Sequence, residues 1–311
     1  MILIILILAA AMALVIGANS SGNCIATAIS SKIMPKNKAL AITALFMMLG
    51  LYLEGSKMEG SVSGGIIAGA VAPEIIIVAA LSGALVATAL ATYFGMPIST
   101  SQCIATSFAV SAFFVGAALN LLYIKSMILA WILTPLMAAI LSIAFYAVYF
   151  VVAKKVDSIH LSGTFPIILL TITSIFAAYS LGANTGGFLV SIAQSSGISN
   201  MSVLLVSIIP IGLAVYFLSW KVIQTIGMGI TELGIITATV SQLAAAIVMY
   251  SFTQYSIPTS LSLAIVGGVA GIGIGFGSGW KTVRAFGKVA FWWVVTPIIS
   301  AIISVAIIYL V

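Results

Sequence analysis

The sequence is poor in charge. Of its 311 residues, 5% are Asp, Glu, Lys or Arg, against about 25% in an average soluble domain. A water-soluble fold of this length needs a polar exterior, and 11 basic plus 5 acidic residues do not supply one. A soluble enzyme and a nucleic-acid-binding protein are therefore excluded. The formal net charge of +6 is spread thinly and reads as loop markers on a membrane protein. Cysteine is scarce too. Cys24 and Cys103 form no CxxC pair, sit in apolar stretches and read as small buried hydrophobes. His160 is the one histidine, and no Cys, His, Asp and Glu cluster has metal-ligand spacing, so no metal and no cofactor is expected. A Walker motif is missing, which disfavours ATP-driven transport. Alternating strand patterns are missing as well, which excludes an outer-membrane barrel.

What is present is hydrocarbon: 63% of the residues are hydrophobic. A spanning helix takes ~20 apolar residues, so a chain of this length holds roughly ten to twelve crossings. Met1 to Ala13 is apolar from its second residue and has no basic n-region, so it reads as the start of the first span, not as a signal peptide. That span runs from about Ile2 to Ile33 and is interrupted by Gly17-Ala18-Asn19-Ser20-Ser21-Gly22-Asn23. Ala39 to Leu53 is the next. Val62 to Phe94 is too long for one simple pass and is cut at Pro73-Glu74. Cys103 to Tyr123 follows Gly95-Met96-Pro97, and Lys125 separates it from Met127 to Val152. The one charged linker of any size is Lys154-Lys155-Val156-Asp157.

The second half repeats the first. Gly182-Ala183-Asn184-Thr185 echoes Gly17-Ala18-Asn19-Ser20. Pro258-Thr259-Ser260-Leu261-Ser262 echoes Pro97-Ile98-Ser99-Thr100-Ser101, and Trp293-x-x-Thr296-Pro297 echoes Trp131-x-x-Thr134-Pro135. Three ordered matches at nearly one offset indicate an internal duplication, with a period far too long for a solenoid. The expected architecture is an all-α polytopic membrane protein. Residues 1–153 form the first repeat, 154–163 a cytoplasmic linker and 164–311 the second repeat. Each repeat has about five spans, with broken or re-entrant helices. With five crossings per half and both termini outside the cytoplasm, nine basic residues face the cytoplasm and Lys57 and Lys125 face out, as the positive-inside rule requires. An odd number of crossings makes the halves antiparallel, the inverted-repeat plan of secondary transporters in a cell membrane.

In such folds substrate sits at interrupted helices near the midplane. Two pairs of motifs fit. Asn19, Ser20, Ser21 and Asn23, with Asn184 and Thr185, are flanked by glycine, which lets a helix unwind and a ligand approach closely. Ser99, Thr100 and Ser101, with Thr259 and Ser260, follow prolines that start helices, and a hydroxyl-bearing helix N-terminus is an anion site. Gln102, Ser262 and Glu232 are candidates for a coupling ion or a supporting role, since an intramembrane acid is functional by default. The sole arginine, Arg284, lies in a predicted loop. An anion is then held by hydroxyls, amides and helix ends, which suits a tetrahedral oxyanion better than a flat carboxylate. A passive anion channel or exchanger remains an alternative; an intramembrane enzyme lacks a catalytic constellation.

These residues resemble the duplicated signature of the inorganic phosphate transporter (PiT) family, including its sulfate-permease branch, approximately GANDxAN followed by PVSTTH. The matching stretches begin at Gly17, Pro97, Gly182 and Pro258, and the second-half loop from Lys221 to Leu233 is similar as well. The resemblance implies cation-coupled uptake (H+ or Na+) of phosphate or sulfate, with Asn and Ser/Thr side chains from both halves around the anion. Transporters of this build often pair, so a homodimer in the lipid membrane is an expectation. Ser20 and Thr185 stand where the family has aspartate, and Gln102 where it has histidine. A neutral cage favours sulfate slightly, since phosphate's proton seeks a strong acceptor, while the family favours phosphate.

Overall fold

In the computed structural model, the described residues are 1–30, 34–69, 71–153, 164–229, 234–275 and 279–310. They form α1 (Ile2–Ser20), α2 (Gly22–Ser30), α3 (Lys36–Glu54), α4 (Glu74–Tyr93), α5 (Thr100–Val115), α6 (Leu121–Ala153), α7 (Thr164–Leu181), α8 (Gly187–Gln194), α9 (Asn200–Phe217), α10 (Trp220–Gly229), α11 (Ile235–Gln254), α12 (Leu261–Gly275) and α13 (Gly279–Leu310). A tight turn of helix, Gly55–Ser61, follows α3, and a wide turn, Gly182–Gly186, joins α7 to α8. Eight helical segments among the described residues are long and apolar enough to cross a membrane. The fold is an all-helical, multi-pass membrane protein. Large apolar side chains such as Leu122, Ile140, Ile302 and Leu310 cover its exterior because hydrocarbon, not water, is the solvent there. The linker at 154–163 with His160, and Glu232, lie outside the described residues.

The halves interleave. The long helix α6 of the first half packs on the short helix α12 of the second, and α13 packs on α5. In the same crossed manner α1 packs on α9 and α7 on α3. Close approach at these crossings is what the glycines provide. A Cβ at Gly17 would lie 2.5 Å from the carbonyl of Ile211, and one at Gly182 would overlap the carbonyl of Met47. At Gly271 it would lie 2.7 Å from Cα of Ala139. The Gly267–Gly275 run is thus a packing surface.

Two readings of the sequence change and two hold. The helices are interrupted at the glycine–asparagine motifs, by Ser21 alone in the first half and by the wide turn Gly182–Gly186 in the second, while Gly17 and Gly182 also admit a neighbouring helix. Cys103 to Tyr123 is not one span: α5 ends at Val115, where Gly116 adopts φ 80° and closes the helix. Lys125 lies inside α6 rather than between spans, since a lysine near a helix end snorkels without breaking it. The cut at Pro73-Glu74 falls where expected: the described residues of 62–73 are non-helical, and the span proper begins at Glu74.

Candidate functional site

Each proline motif sits in a short extended segment, 96–99 before α5 and 257–260 before α12. Proline has no N–H, so its segment lacks a donor in mid-loop. An asparagine side chain bridges each gap. Asn19 Nδ2 donates to the Met96 carbonyl at 2.9 Å and to Thr92 Oγ1 at 3.0 Å, while its Oδ1 accepts from the Ile98 N–H at 3.3 Å. Asn184 does the same in the second half. Its Nδ2 donates to the Ile257 carbonyl at 3.1 Å and to Thr253 Oγ1 at 3.0 Å, and its Oδ1 accepts from the Thr259 N–H at 3.1 Å. Both asparagines are fully buried, so these bonds form where water does not compete. Their amides are committed to shaping the loop.

The helices launched by the loops begin against each other. Ser101 Oγ, in the first turn of α5, donates to the Thr259 carbonyl at 2.5 Å, and Ser262 Oγ, in the first turn of α12, donates to the Ile98 carbonyl at 3.1 Å. The two bonds are the same bond made twice, with the halves exchanged. Around this junction Asn23 Nδ2 donates to Ser262 Oγ at 2.8 Å and to the Ser20 carbonyl at 3.2 Å. Ser20 Oγ lies 3.1 Å from Thr100 Oγ1. The Ser99 side chain caps α5 by accepting from the Gln102 N–H at 3.3 Å. Ser21, by contrast, bonds back to the Gly17 carbonyl at 2.6 Å and serves its own helix. Thr185 and Ser260 are buried at the corresponding second-half positions. All eleven predicted binding residues are buried, and most converge on the junction of α5 and α12. Gln102 is buried beside it, with its Oε1 unpartnered.

The electrostatics follow from the backbone. α5 and α12 are 16 and 15 residues long, about 24 and 22 Å at ~1.5 Å per residue, short of a ~30 Å hydrocarbon core. A helix that short, reaching one face, starts inside the bilayer. Two helix N-termini brought together concentrate positive partial charge, roughly half an elementary charge each. The described acids do not offset it. Glu54 bonds Tyr250, Gln254 and Lys57, Glu59 bonds Asn200, and Glu74 starts α4. Among the described residues no group of His, Cys, Asp and Glu is placed to hold a metal ion. The arrangement is a buried cluster of hydroxyls at two helix N-termini, where the partial charge is positive.

Several contributing residues escape the motif reading. Thr92 and Thr253 anchor the two asparagines, and Trp131 Nε1 donates to the Pro258 carbonyl at 2.9 Å. Thr134 Oγ1 lies 2.6 Å from Thr259 Oγ1. The signal for these is the duplication itself: Thr92 and Thr253 occupy equivalent positions, and the Trp-x-x-Thr-Pro echo marks residues that touch the loop. Two lysines complete the frame. Lys57 Nζ reaches Gln254 Oε1 at 2.6 Å and Glu54 Oε2 at 3.1 Å, and Lys221 Nζ reaches the carbonyl of Tyr93. Tyr93 and Gln254 are equivalent residues, the last of α4 and of α11, so each half's lysine grips the helix end that leads into the other half's proline segment.

Known proteins share this organisation. The family described as the phosphate transporter family matches residues 16–304. A protein of Methanocaldococcus jannaschii named as a phosphate permease is 31% identical over 93% of this chain and 91% of its own. One of Bacillus subtilis, named as a low-affinity inorganic phosphate transporter, is 25% identical over 96% of this chain and 93% of its own. The solved structure of a sodium-dependent phosphate transporter superposes with a TM-score of 0.86 at 20% identity, covering 99% of this chain and 98% of that one.

Proposed function

The chain belongs to the phosphate transporter family, and on that premise we propose that it is a secondary transporter carrying inorganic phosphate, or a similar tetrahedral oxyanion, across the cell membrane by symport with a proton or a sodium ion. The observation that carries this reading is the reciprocal pair of bonds, Ser101 to Thr259 and Ser262 to Ile98, which holds two helix N-termini together. Their adjacent partial charges are unfavourable until an anion lies between them. Thr100, Ser20, Ser260 and Thr185 present hydroxyls from both halves, and such donors surround a tetrahedral ligand without a rigid fork. The exchanged contacts suit two inverted repeats, 1–153 and 164–311, with both termini outside the cytoplasm. In that plan Lys57 and Lys221 close the loops at opposite faces, the arrangement alternating access needs.

A second reading, sulfate as the preferred substrate, rests on one feature. Phosphate near neutral pH carries a proton that seeks an acceptor, and Ser20 and Thr185 are weaker acceptors than a carboxylate.

Purified protein in liposomes tests both. Labelled phosphate accumulates against its gradient when a proton or sodium gradient is imposed, and excess sulfate competes according to the true preference. Thr100→Ala and Ser260→Ala each weaken half-saturation by about tenfold, the loss of one charge-assisted hydrogen bond. Flux of either anion that only follows its own gradient refutes symport, and no flux of either refutes the function.

A further inference from the structure

The helices that lead into the two proline segments, α4 and α11, end alike. In the first half the Gly95 N–H donates to the Thr92 carbonyl at 2.9 Å and the Met96 N–H to the Ala91 carbonyl at 2.9 Å. In the second the Ser256 N–H donates to the Thr253 carbonyl at 3.1 Å and the Ile257 N–H to the Phe252 carbonyl at 3.0 Å. Such a pair of bonds closes a helix through one residue in the left-handed conformation. Gly95 supplies it with φ 70° and Ser256 with φ 56°. Glycine adopts that conformation freely, whereas a Cβ there crowds the carbonyl oxygen and strains the backbone. Among the described residues Ser256 is the one non-glycine with a positive φ.

The strained serine is held from the other half. Its Oγ donates to the Lys57 carbonyl at 2.5 Å, in the Gly55–Ser61 turn. Its own carbonyl accepts from the Tyr123 hydroxyl at 2.5 Å, in the first turn of α6. The turn sits so close that a Cβ at Gly60 would lie 3.1 Å from Ser256 Oγ. Gly95 has no side chain with which to make the equivalent bond. Backbone strain persists only where the surroundings over-determine it, and here the surroundings are the Lys57 turn and Tyr123. Just beyond the serine, residues 257–260 carry the contacts of the central junction: Ile257 and Thr259 to Asn184, Pro258 to Trp131, and Thr259 to Ser101.

We propose that Ser256 is a positioning residue that ties the shape of segment 257–260 to closure of the Lys57 face. The inference rests on the reading that Lys57 and Lys221 close opposite faces. When the Lys57 face opens, the turn withdraws and the bond to its carbonyl breaks. The serine then relaxes out of the left-handed conformation, the end of α11 loosens, and Thr259 and Ser260 shift. Opening of the Lys221 face has no such effect on segment 96–99, because Gly95 is neither strained nor tied by a side chain. The two faces therefore open at unequal cost, and one of them reshapes its half of the junction as it does so.

The test uses the whole protein in vesicles, in a Cys24→Ala/Cys103→Ala background with Ser260→Cys as reporter. A membrane-impermeant thiol reagent is applied from each side. Ser256→Ala keeps the strain and loses the bond to Lys57, so labelling from the Lys57 face should rise about fivefold, the loss of one hydrogen bond. Ser256→Gly loses the same bond but relieves the strain of the closed state, so labelling should stay within about twofold of the parent. Tyr123→Phe leaves the serine intact and should raise labelling from the same face, which carries the test if Ser256→Ala does not fold. A serine with a merely structural role would lower stability without favouring one face. Labelling unchanged by Ser256→Ala or, where that variant does not fold, by Tyr123→Phe overturns the proposal. So does an equal rise in Ser256→Ala and Ser256→Gly, because the corner then keeps its shape as the face opens. A rise from the Lys221 face overturns it as well. Phosphate uptake by the protein with Ser260 intact separates the two readings: absent uptake refutes transport alone, and the sided labelling still decides the role of Ser256.

Discussion

Ser101 and Thr259 are 158 residues apart in sequence, yet the hydroxyl of the first is 2.5 Å from the carbonyl of the second. Ser262 returns the bond to Ile98. This exchange joins the two halves at their centre, and it leaves each proline loop held by its own asparagine and by the other half's serine.

Removing one serine of the exchange leaves a buried carbonyl unpaired. Ser101→Ala and Ser262→Ala should each lower stability by about 1–3 kcal/mol. Thermal unfolding in detergent measures this. The double variant should fall short of additivity, because both bonds hold the same interface. Strict additivity would mean that the two contacts act independently.

The asparagine clip makes a sharper prediction. Asn19→Ala leaves the Met96 carbonyl and the Ile98 N–H without their partner, at a cost of about 1–3 kcal/mol for each buried group. Asn19→Asp keeps the acceptor for Ile98 but replaces two donors with an oxygen facing the Met96 carbonyl. It should be no better than alanine in stability and in uptake. An Asn19→Asp protein that behaves as wild type would show that the clip is not what the amide is for.

Glycine at the helix crossings can be tested by adding one methyl. Gly17→Ala and Gly182→Ala force helices apart and should cost about 1–3 kcal/mol each, the usual penalty of overpacking. Gly234, where an added methyl would meet nothing within 4 Å, is the control, and Gly234→Ala should stay within about 0.5 kcal/mol. Melting temperatures in one detergent rank the three.

The lysine grips should act on opposite faces. In a Cys24→Ala/Cys103→Ala background, Ser260→Cys is labelled with a membrane-impermeant thiol reagent from each side of the vesicle. Lys57→Ala should raise labelling from outside and Lys221→Ala from the cytoplasmic side. A change on the same side in both would remove the alternating role assigned to them.

Much of this is legible in the residues. The deficit of charge forces a membrane protein, because a lipid-facing exterior is the one surface that so few ionised groups can serve. The proline–hydroxyl motifs locate the helix starts, since proline and serine act locally on the turn they begin. The glycines beside Asn19 and Asn184 mark the interruptions of their helices, but their second role, admitting a neighbouring helix at Gly17 and Gly182, is hidden. A glycine that relaxes a helix and one that admits a neighbour look the same in sequence. The closure of α5 at Gly116 is hidden for a similar reason: in a uniformly apolar stretch, one glycine gives no contrast.

By itself, then, the sequence determined the solvent, the duplication and the residue types at the centre, all of which are local or compositional properties. The tertiary structure alone decided which polar groups are spent and which face one another. Asn19 and Asn184 became braces, Ser21 turned back on its own helix, and Ser101, Ser262 and Asn23 met across the halves. The physical reason is that hydropathy reports what surrounds a helix, while a hydrogen bond needs two particular atoms within about 3 Å, and only the packing of distant helices brings them there.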